Sequence, residues 1–341
     1  MEPSPTIDLI TLQELPEERS ADFVPQIFDD YLGQEELKKK LAVYTQAAKM
    51  RGEPLDHLLL FGPPGLGKTT LAHIMATVMN VNIKLCSGPM MERTGDLVAI
   101  LSSLQERDIL FIDEIHRMSS SVEEVLYSAM EHFRVDIIIG QGAGAKSVSI
   151  SINAFTLIGA TTKSGMLSAP LRSRFGIIER LDFYADHELA AIVKQSALFL
   201  SIKITDTAAL IIGSRSRGTP RIAKKILRRV RDFAQVMQCM TINDELVLRA
   251  LDFLGIDNDG FTYVDHLLLR ALVERNGGPV ALDTLASLVG EDKDTIEHVY
   301  EPYLLQKGFI EKTTRGRQLS PQKIGYLKQK FLGQQSIINA R

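Results

Sequence analysis

Eight residues, Gly62-Pro63-Pro64-Gly65-Leu66-Gly67-Lys68-Thr69, constrain this chain more than any other stretch. They match G-x-x-x-x-G-K-[ST] between a short apolar run, His57 to Phe61, and a helical stretch, Thr69 to Met79, which is the context the pattern requires. Glycines let successive backbone N–H groups turn inward around phosphates, and the helix N-terminus adds partial positive charge. Lys68 is placed to reach the β and γ phosphates, and the Thr69 hydroxyl to ligate Mg²⁺. Chance would produce such a match in about 1% of chains this long at average residue usage. The flanks lower that figure, and the stretch predicts a nucleotide site on an α/β layer.

Further along, Ile109-Leu110-Phe111-Ile112-Asp113-Glu114 is an apolar strand ending in two carboxylates. In a parallel sheet the strand C-termini meet the ligand crevice. Asp113 is expected to complete the Mg²⁺ shell and Glu114 to orient and polarise the attacking water. Phe155 to Thr162 is another buried-strand pattern, and its hydroxyls suit a γ-phosphate or water contact or simply a Thr-rich strand end. Pro170 to Gly176 carries Arg172 and Arg174, donors suited to charge developing on a phosphoryl group. Gly218-Thr219-Pro220-Arg221 reads as a helix start, with Thr219 as N-cap and Pro220 at the first helical position. Arg221 then stands in the first turn, where the helix dipole disfavours a cation unless an anion is near.

Strand-like runs at 108–112 and 155–160, with helical patterns at 35–50, 95–105 and 121–132, indicate a mostly parallel sheet covered by helices. After about residue 185 the pattern turns helical, at 186–200, 206–214, 220–236 and 243–253. Gly255–Gly260 has linker composition, and helical patterns at 264–275, 282–289 and 293–305 precede a turn-rich basic stretch. The expected organisation is an acidic tail (1–20), an α/β P-loop core (21–184), a small all-α lid (185–259), a C-terminal winged-helix domain (260–334) and a short tail (335–341).

Composition excludes more than it assigns. No apolar run reaches the ~20 residues that span a bilayer, and the acidic, Pro-containing N-terminus is unlike a signal peptide. Cys86 and Cys239 have no pairing or metal-ligand spacing, so a reduced, cytoplasmic setting is the natural reading. Charge is unevenly spread. Residues 1–36 carry ten acids against Arg19, 213–231 carry eight bases and no acid, and 307–330 carry seven bases against Glu311. Basic patches fit contact with phosphates in more than one place, and solvated helix faces fit them about as well.

In this order, the P-loop, the Asp-Glu strand end, the Thr-ended strand, the Arg pair and the Thr-Pro-Arg helix start resemble the AAA+ ATPases. The likeness extends over roughly residues 22–330 to the motors that drive branch migration of Holliday junctions, through Gly62–Ala72, Leu110–Arg117, Gly159–Thr162, Pro170–Ile177, Arg217–Ala223 and Tyr300–Phe309. The resemblance implies ATP hydrolysis with Mg²⁺, assembly into a homo-hexameric ring, and work on double-stranded DNA without sequence preference, in recombination and repair. It implies a junction-recognising partner and a junction resolvase as companions. Arg174, rather than Arg172, matches the arginine finger that reaches a neighbouring subunit's nucleotide. Arg221 matches the lid sensor, and Thr161 or Thr162 the strand sensor, with Thr162 the chosen catalytic position. Phe23, Val24, Gly65, Leu66, Gly67, Thr70 and Tyr184 match positions about the nucleotide; Glu131, His132 and Phe133 match a subunit-interface segment. Val24 stands where the family usually has Arg, Thr314 where it has Pro, and Lys163 where it has Arg.

Residues 133–152 alternate apolar and polar on both sides of 140–146, as a β-hairpin would. Its apolar set, Ile137, Ile139, Val148 and Ile150, exceeds what a two-stranded ribbon buries alone. Packing on the main sheet would explain that set, and the resemblance implies docking of the junction-recognising partner. The glycine-bearing basic hairpin after the third C-terminal helix suits phosphate-backbone contact through Lys312, Arg315 and Arg317, with Lys293 on the helix. Two rivals to the motor are a clamp-loader-like ATP switch and a DNA-binding scaffold that only holds nucleotide.

Overall fold

The computed structural model describes residues 23–139 and 146–332. The tails at 1–20 and 335–341, and the hairpin tip at 140–145, lie outside them.

From the N-terminal side, α1 (Glu35–Arg51) leads to β1 (Leu58–Phe61), the P-loop and α2 (Lys68–Met79). Then come β2 (Ile83–Ser87), α3 (Thr94–Ser102), β3 (Ile109–Asp113), α4 (Ser120–His132) and the ribbon of β4 (Arg134–Ile139) and β5 (Lys146–Ser151). The layer closes with β6 (Thr156–Thr161), α5 (Ala169–Ser173) and β7 (Ile177–Arg180). The five-stranded sheet runs β2-β3-β6-β1-β7, and every pairing in it is parallel. Leu58, Leu59 and Leu60 have no exposure and β6 is buried along its whole length, as strands covered on both faces must be. Because β3, β6 and β1 are adjacent, the carboxylates after β3, the threonines after β6 and the P-loop after β1 emerge side by side.

Two of the five strands were not anticipated. In β7 buried-side and exposed positions alternate, and β2 carries Lys84 and an exposed Leu85, so neither reads as a buried run. Both are edges, where one side of the strand is left unpaired.

The lid consists of α6 (Asp186–Phe199), β8 (Lys203–Ile204), α7 (Asp206–Ser214), α8 (Pro220–Val236), β9 (Thr241–Ile242) and α9 (Asp244–Phe253). The expected all-α lid thus also holds a two-residue parallel pair, β8 with β9. On α8, Ala223, Ile226, Leu227, Val230 and Ala234 are buried at helical spacing. Six of the eight bases at 213–231 therefore lie on the polar side of one amphipathic helix, four of them half-buried. Lid and P-loop layer share a hydrophobic core that includes Leu41, Leu71, Leu189 and Val193, while a second core lies under α3 to α5.

The C-terminal unit has α10 (Tyr263–Glu274), α11 (Leu282–Val289) and α12 (Lys293–Thr295), which continues through a π turn at Ile296–Tyr300 into α13 (Glu301–Gln306). Pro302, with no N–H to donate, follows that turn. β10 (Ile310–Thr313) and β11 (Gly316–Leu319) form an antiparallel wing, and α14 (Ile324–Leu332) closes a third core with Leu327 and Phe331. The expected turn-rich basic ending is therefore a helix from Ile324 onward. Nor is 255–260 a slack linker. Asp257 accepts from the N–H groups of Asp259 and Phe261, bonds His266 Nε2 at 2.8 Å and pairs with Lys330 at 2.6 Å. Burial would raise its pKa, but the bonds from His266, Lys330 and Phe261 outweigh this and hold it at about 2. Among the described residues no helix is long and apolar enough to cross a membrane.

Candidate nucleotide site

The P-loop leaves β1 at Phe61 and becomes α2 at Lys68, with Gly62, Gly65 and Gly67 all at positive φ. A side chain at Gly67 would strain its φ of +100° and put its Cβ 2.6 Å from the Tyr31 hydroxyl. That hydroxyl donates to the Leu66 carbonyl at 3.0 Å, and Tyr184 donates to Tyr31 at 2.8 Å and to Leu66 at 3.2 Å. Burial pushes both phenols' pKa values up, so they act as neutral donors that hold the loop from behind. Tyr31 gave no signal in sequence; it lies far upstream of every motif.

Lys68 is 7% exposed and donates to the carbonyls of Gly62 and Pro63, each at 2.9 Å. Burial lowers its pKa to about 8, against the upward pull of Asp113 and Glu114 and with a further push down from Arg221. Those influences place both carboxylates and the lid arginine within electrostatic reach of one ammonium group. The Arg221 N–H meets the Gly65 carbonyl at 3.4 Å, so the first turn of α8 sits on the P-loop. Thr219 is the N-cap residue of α8 as expected, but its hydroxyl donates back to Ser216 rather than capping the helix.

Glu114 is in the left-handed region (φ +49°), a costly place for a non-glycine residue. Its N–H donates to Asp113 Oδ1 at 2.9 Å. Its Oε2 accepts from the Thr162 hydroxyl at 3.5 Å and lies 3.4 Å from His116 Nδ1. The same ring nitrogen is 2.8 Å from Thr161 Oγ1, and Thr161 is fully buried. The two threonines therefore divide: Thr162 faces Glu114, and Thr161 braces His116. Burial lowers the His116 pKa, with Glu114 opposing, so a neutral ring is the expected form at pH 7. His116 was missed, although it stands only two residues beyond Glu114 in Asp113-Glu114-Ile115-His116. Thr69 is exposed in the first turn of α2, Thr70 beside it is half-buried, and Asp113 is half-buried at the end of β3. Oxygen donors of this kind on adjacent elements fit Mg²⁺.

Phe23 packs on Phe199 with ring centroids 5.8 Å apart, and its carbonyl accepts from Lys224, one turn beyond Arg221. Val24 beside it is 45% exposed.

Arg174 follows α5 and lies apart from this group. Its Nε is 3.1 Å from Glu131 Oε1, its guanidinium donates to the Pro170 carbonyl at 2.7 Å, and it stacks over Tyr127 at 4.4 Å. Glu131 and Arg174 are thus brought together on α4 and α5, and His132 next to them is exposed. Phe133, the third residue of that segment, is half-buried. Its ring packs edge-on against buried Phe155, at the margin of the second core.

The ribbon β4–β5 forms a sheet of its own, with Val135 opposite Ile150 and Ile137 opposite Val148. Its root is anchored by Val135, which has no exposure, whereas Val148 is 40% exposed and Ile150 half-buried. The side chains of Ile137 and Ile139 lie outside the described residues.

On the wing the three expected DNA contacts behave differently. Arg315 is exposed at the turn, and none of the described ion pairs involves it. Lys312 pairs with Glu297 at 2.9 Å and Glu301 at 3.0 Å. Arg317 is turned inward, its side chain 14% exposed, with Glu301 at 2.5 Å and Glu297 at 3.3 Å. Glu301 is 1% exposed, and Arg317 and Lys312 together supply the counter-charge a buried carboxylate needs. Lys293 is exposed and paired with Asp283.

Comparison with known proteins agrees with this layout. Residues 23–181 match the family described as the Holliday junction DNA helicase RuvB P-loop domain. Residues 184–257 match the RuvB AAA lid domain, and residues 258–328 the RuvB C-terminal winged helix domain. The solved Thermotoga maritima RuvB Holliday junction branch migration motor is 50% identical, with a TM-score of 0.81 over 89% of this chain and 98% of that one. A proline-to-glycine variant of the Thermotoga maritima protein, also 50% identical, gives a TM-score of 0.82 over 90% and 99%.

Proposed function

The chain belongs to the RuvB family of Holliday junction DNA helicases, and from that premise we propose how its residues drive ATP-powered branch migration in DNA recombination and repair. The observation that carries the proposal is the Glu114 carboxylate. It is held by Thr162 and His116 at the end of β3, within electrostatic reach of the P-loop lysine.

ATP lies with its phosphates against the backbone N–H groups of Gly65–Thr70, Lys68 facing the β and γ groups. Thr69 and Asp113 hold Mg²⁺, which neutralises charge on the phosphate oxygens when bound. Glu114, with Thr162 beside it, orients a water and takes its proton as the oxygen attacks the γ-phosphorus; the bond from that phosphorus to the β-phosphate oxygen breaks, giving inorganic phosphate and ADP. Arg221 approaches the same phosphates from the lid. Phe23, Val24 and Tyr184 border the nucleotide, with Tyr184 acting through the loop it supports. Every described contact of Arg174 is with α4 or α5, which supports its action on a neighbouring subunit's nucleotide, with Glu131 and His132 on the same interface.

Subunits assemble as a ring, which we read as a hexamer. Arg315, with Lys312 and Lys293 at its flank, contacts the phosphate backbone of double-stranded DNA without reading bases. The ribbon β4–β5 offers Ile137, Ile139, Val148 and Ile150 to the junction-recognising partner, RuvA, and a junction resolvase follows. We read the protein as cytoplasmic, a setting that a DNA substrate supports. Family membership favours the motor over the clamp-loader-like switch and the nucleotide-holding scaffold.

Movement of a synthetic four-way junction separates these readings. The motor moves it only with ATP and the partner protein. Sliding-clamp opening, or junction binding with no movement under any nucleotide, would overturn the proposal.

A further inference from the structure

Residues 215–221, between α7 and α8, touch all three parts of the molecule at once. Arg221 meets the P-loop, as above; a Cβ on Gly65 would lie 3.0 Å from the Arg221 Cβ. The Gly218 carbonyl accepts from Tyr184 N–H at 2.9 Å. Gly218 itself, at φ +70°, is wedged where a Cβ would stand 2.9 Å from Phe183 and 3.2 Å from Gln306 Oε1 of α13.

Arg217 reaches the other way. It is 7% exposed, in the left-handed region (φ +53°), and donates to both oxygens of Asp265 at 2.9 and 3.1 Å. It also donates to the carbonyls of Val299 (3.4 Å) and Tyr300 (3.2 Å) and stacks over Tyr303 at 4.9 Å. Asp265 has no exposure and accepts besides from the Thr262 N–H and hydroxyl, which start α10. The fork of a guanidinium suits such bidentate, stacked contact, and removing either charge would strand the other in the interior.

We propose that Arg217, through Asp265, is the positioning residue by which the winged-helix unit sets Arg221 against the phosphates, so that duplex DNA on the wing and ATP on the P-loop favour each other. Between Arg217 and Arg221 the chain has little slack. Gly218 is packed between Phe183 and Gln306, and Pro220 fixes its own φ at the first position of α8. A displacement of α10 relative to the lid is therefore carried to Arg221. Coupling of this kind is reciprocal: the factor by which ATP tightens DNA binding equals the factor by which DNA tightens ATP binding.

The inference rests on the roles proposed above for Arg221 and the wing, and the experiment keeps the two apart. Affinity for a plain DNA duplex is measured on the full chain with and without a non-hydrolysable ATP analogue, together with the DNA-free ATPase rate and the melting temperature. Arg217→Met with Asp265→Asn removes both charges and keeps the oxygen that Thr262 needs. The expected result is a folded protein in which the gain in DNA affinity from the analogue falls at least about fivefold, the lower end of ordinary coupling. Arg217→Lys, which keeps the charge but not the fork, is expected to lose most of the gain as well. A parent-like gain in the folded double variant overturns the inference; should that variant not fold, a parent-like gain in Arg217→Lys does so. A parent chain whose DNA affinity ignores the analogue removes the motor reading too, which tells the two failures apart.

Discussion

Lys68 shows how burial tunes a single residue for its task. Its pKa of about 8 lies below the usual lysine value because burial disfavours the ammonium form, and bound phosphates restore that form. The sign follows: below pH 8 the free and bound states are both protonated, and affinity is flat. Above pH 8 binding must take up a proton, so ATP affinity should fall by up to about tenfold per pH unit until the bound-state pKa is reached. Calorimetry in two buffers of different ionisation enthalpy checks this, since proton uptake at pH 8.5 should give different apparent enthalpies. Glu114 and His116 are separated by mutation. Glu114→Gln should bind ATP as the parent does and lose about 10²–10⁴-fold in kcat, the usual worth of a positioned general base. His116→Ala should lower kcat without raising the nucleotide Kd. Full turnover by the Glu114→Gln protein would remove the carboxylate from its role. The main residues were legible because each ends a motif; His116 and Arg217 were not, because their work depends on what packs against them. A histidine beside a strand end and an arginine in a loop look the same in sequence whether they are solvated or buried against a carboxylate.

Among the elements, the wing shows how two arginines two positions apart take opposite parts. Arg317→Ala leaves buried Glu301 with Lys312 as its remaining counter-charge and should cost stability, by less than the about 3–5 kcal/mol typical when a buried charge loses its partner outright. Thermal unfolding of the variant measures it. Arg315→Ala should leave the melting temperature unchanged and lower the salt dependence of DNA binding by about one unit in the slope of log K against log salt. A loss of stability in Arg315→Ala with an unchanged salt slope would exchange the two roles. Sequence alternation could not tell these residues apart, since a two-stranded wing has no buried face until the helix carrying Glu301 lies under it. The same limit hid β2 and β7, whose half-polar patterns declare a strand only once β3 and β1 are beside them. The central strands and the long lid helices, whose apolar positions bury on local pattern alone, were readable in advance.

For the whole molecule, the proposed division of the site between subunits has most consequence. Arg174→Ala should bind ATP normally and lose hydrolysis by about 10³–10⁵-fold, as loss of an arginine finger does. Lys68→Ala should not bind ATP at all. In mixed rings, a subunit with intact Lys68 can face a subunit with intact Arg174, so mixing the two inactive proteins should restore part of the ATPase rate. Absence of rescue at every mixing ratio would argue that Arg174 serves its own subunit. The packed joint at 255–260 has a different consequence, for how such a chain can be cut or recombined. The boundary between the lid and winged-helix matches falls at residues 257 and 258, but Phe261 has no exposure and Asp257 is tied to Lys330 across that point. A truncation there would leave Arg217 facing solvent in one piece and take Asp257 from Lys330 in the other. A transplanted winged helix would have to bring its own aspartate to the matching place. The last two modules are separable as text but not as objects, and a graft between relatives should respect the joint rather than the boundary.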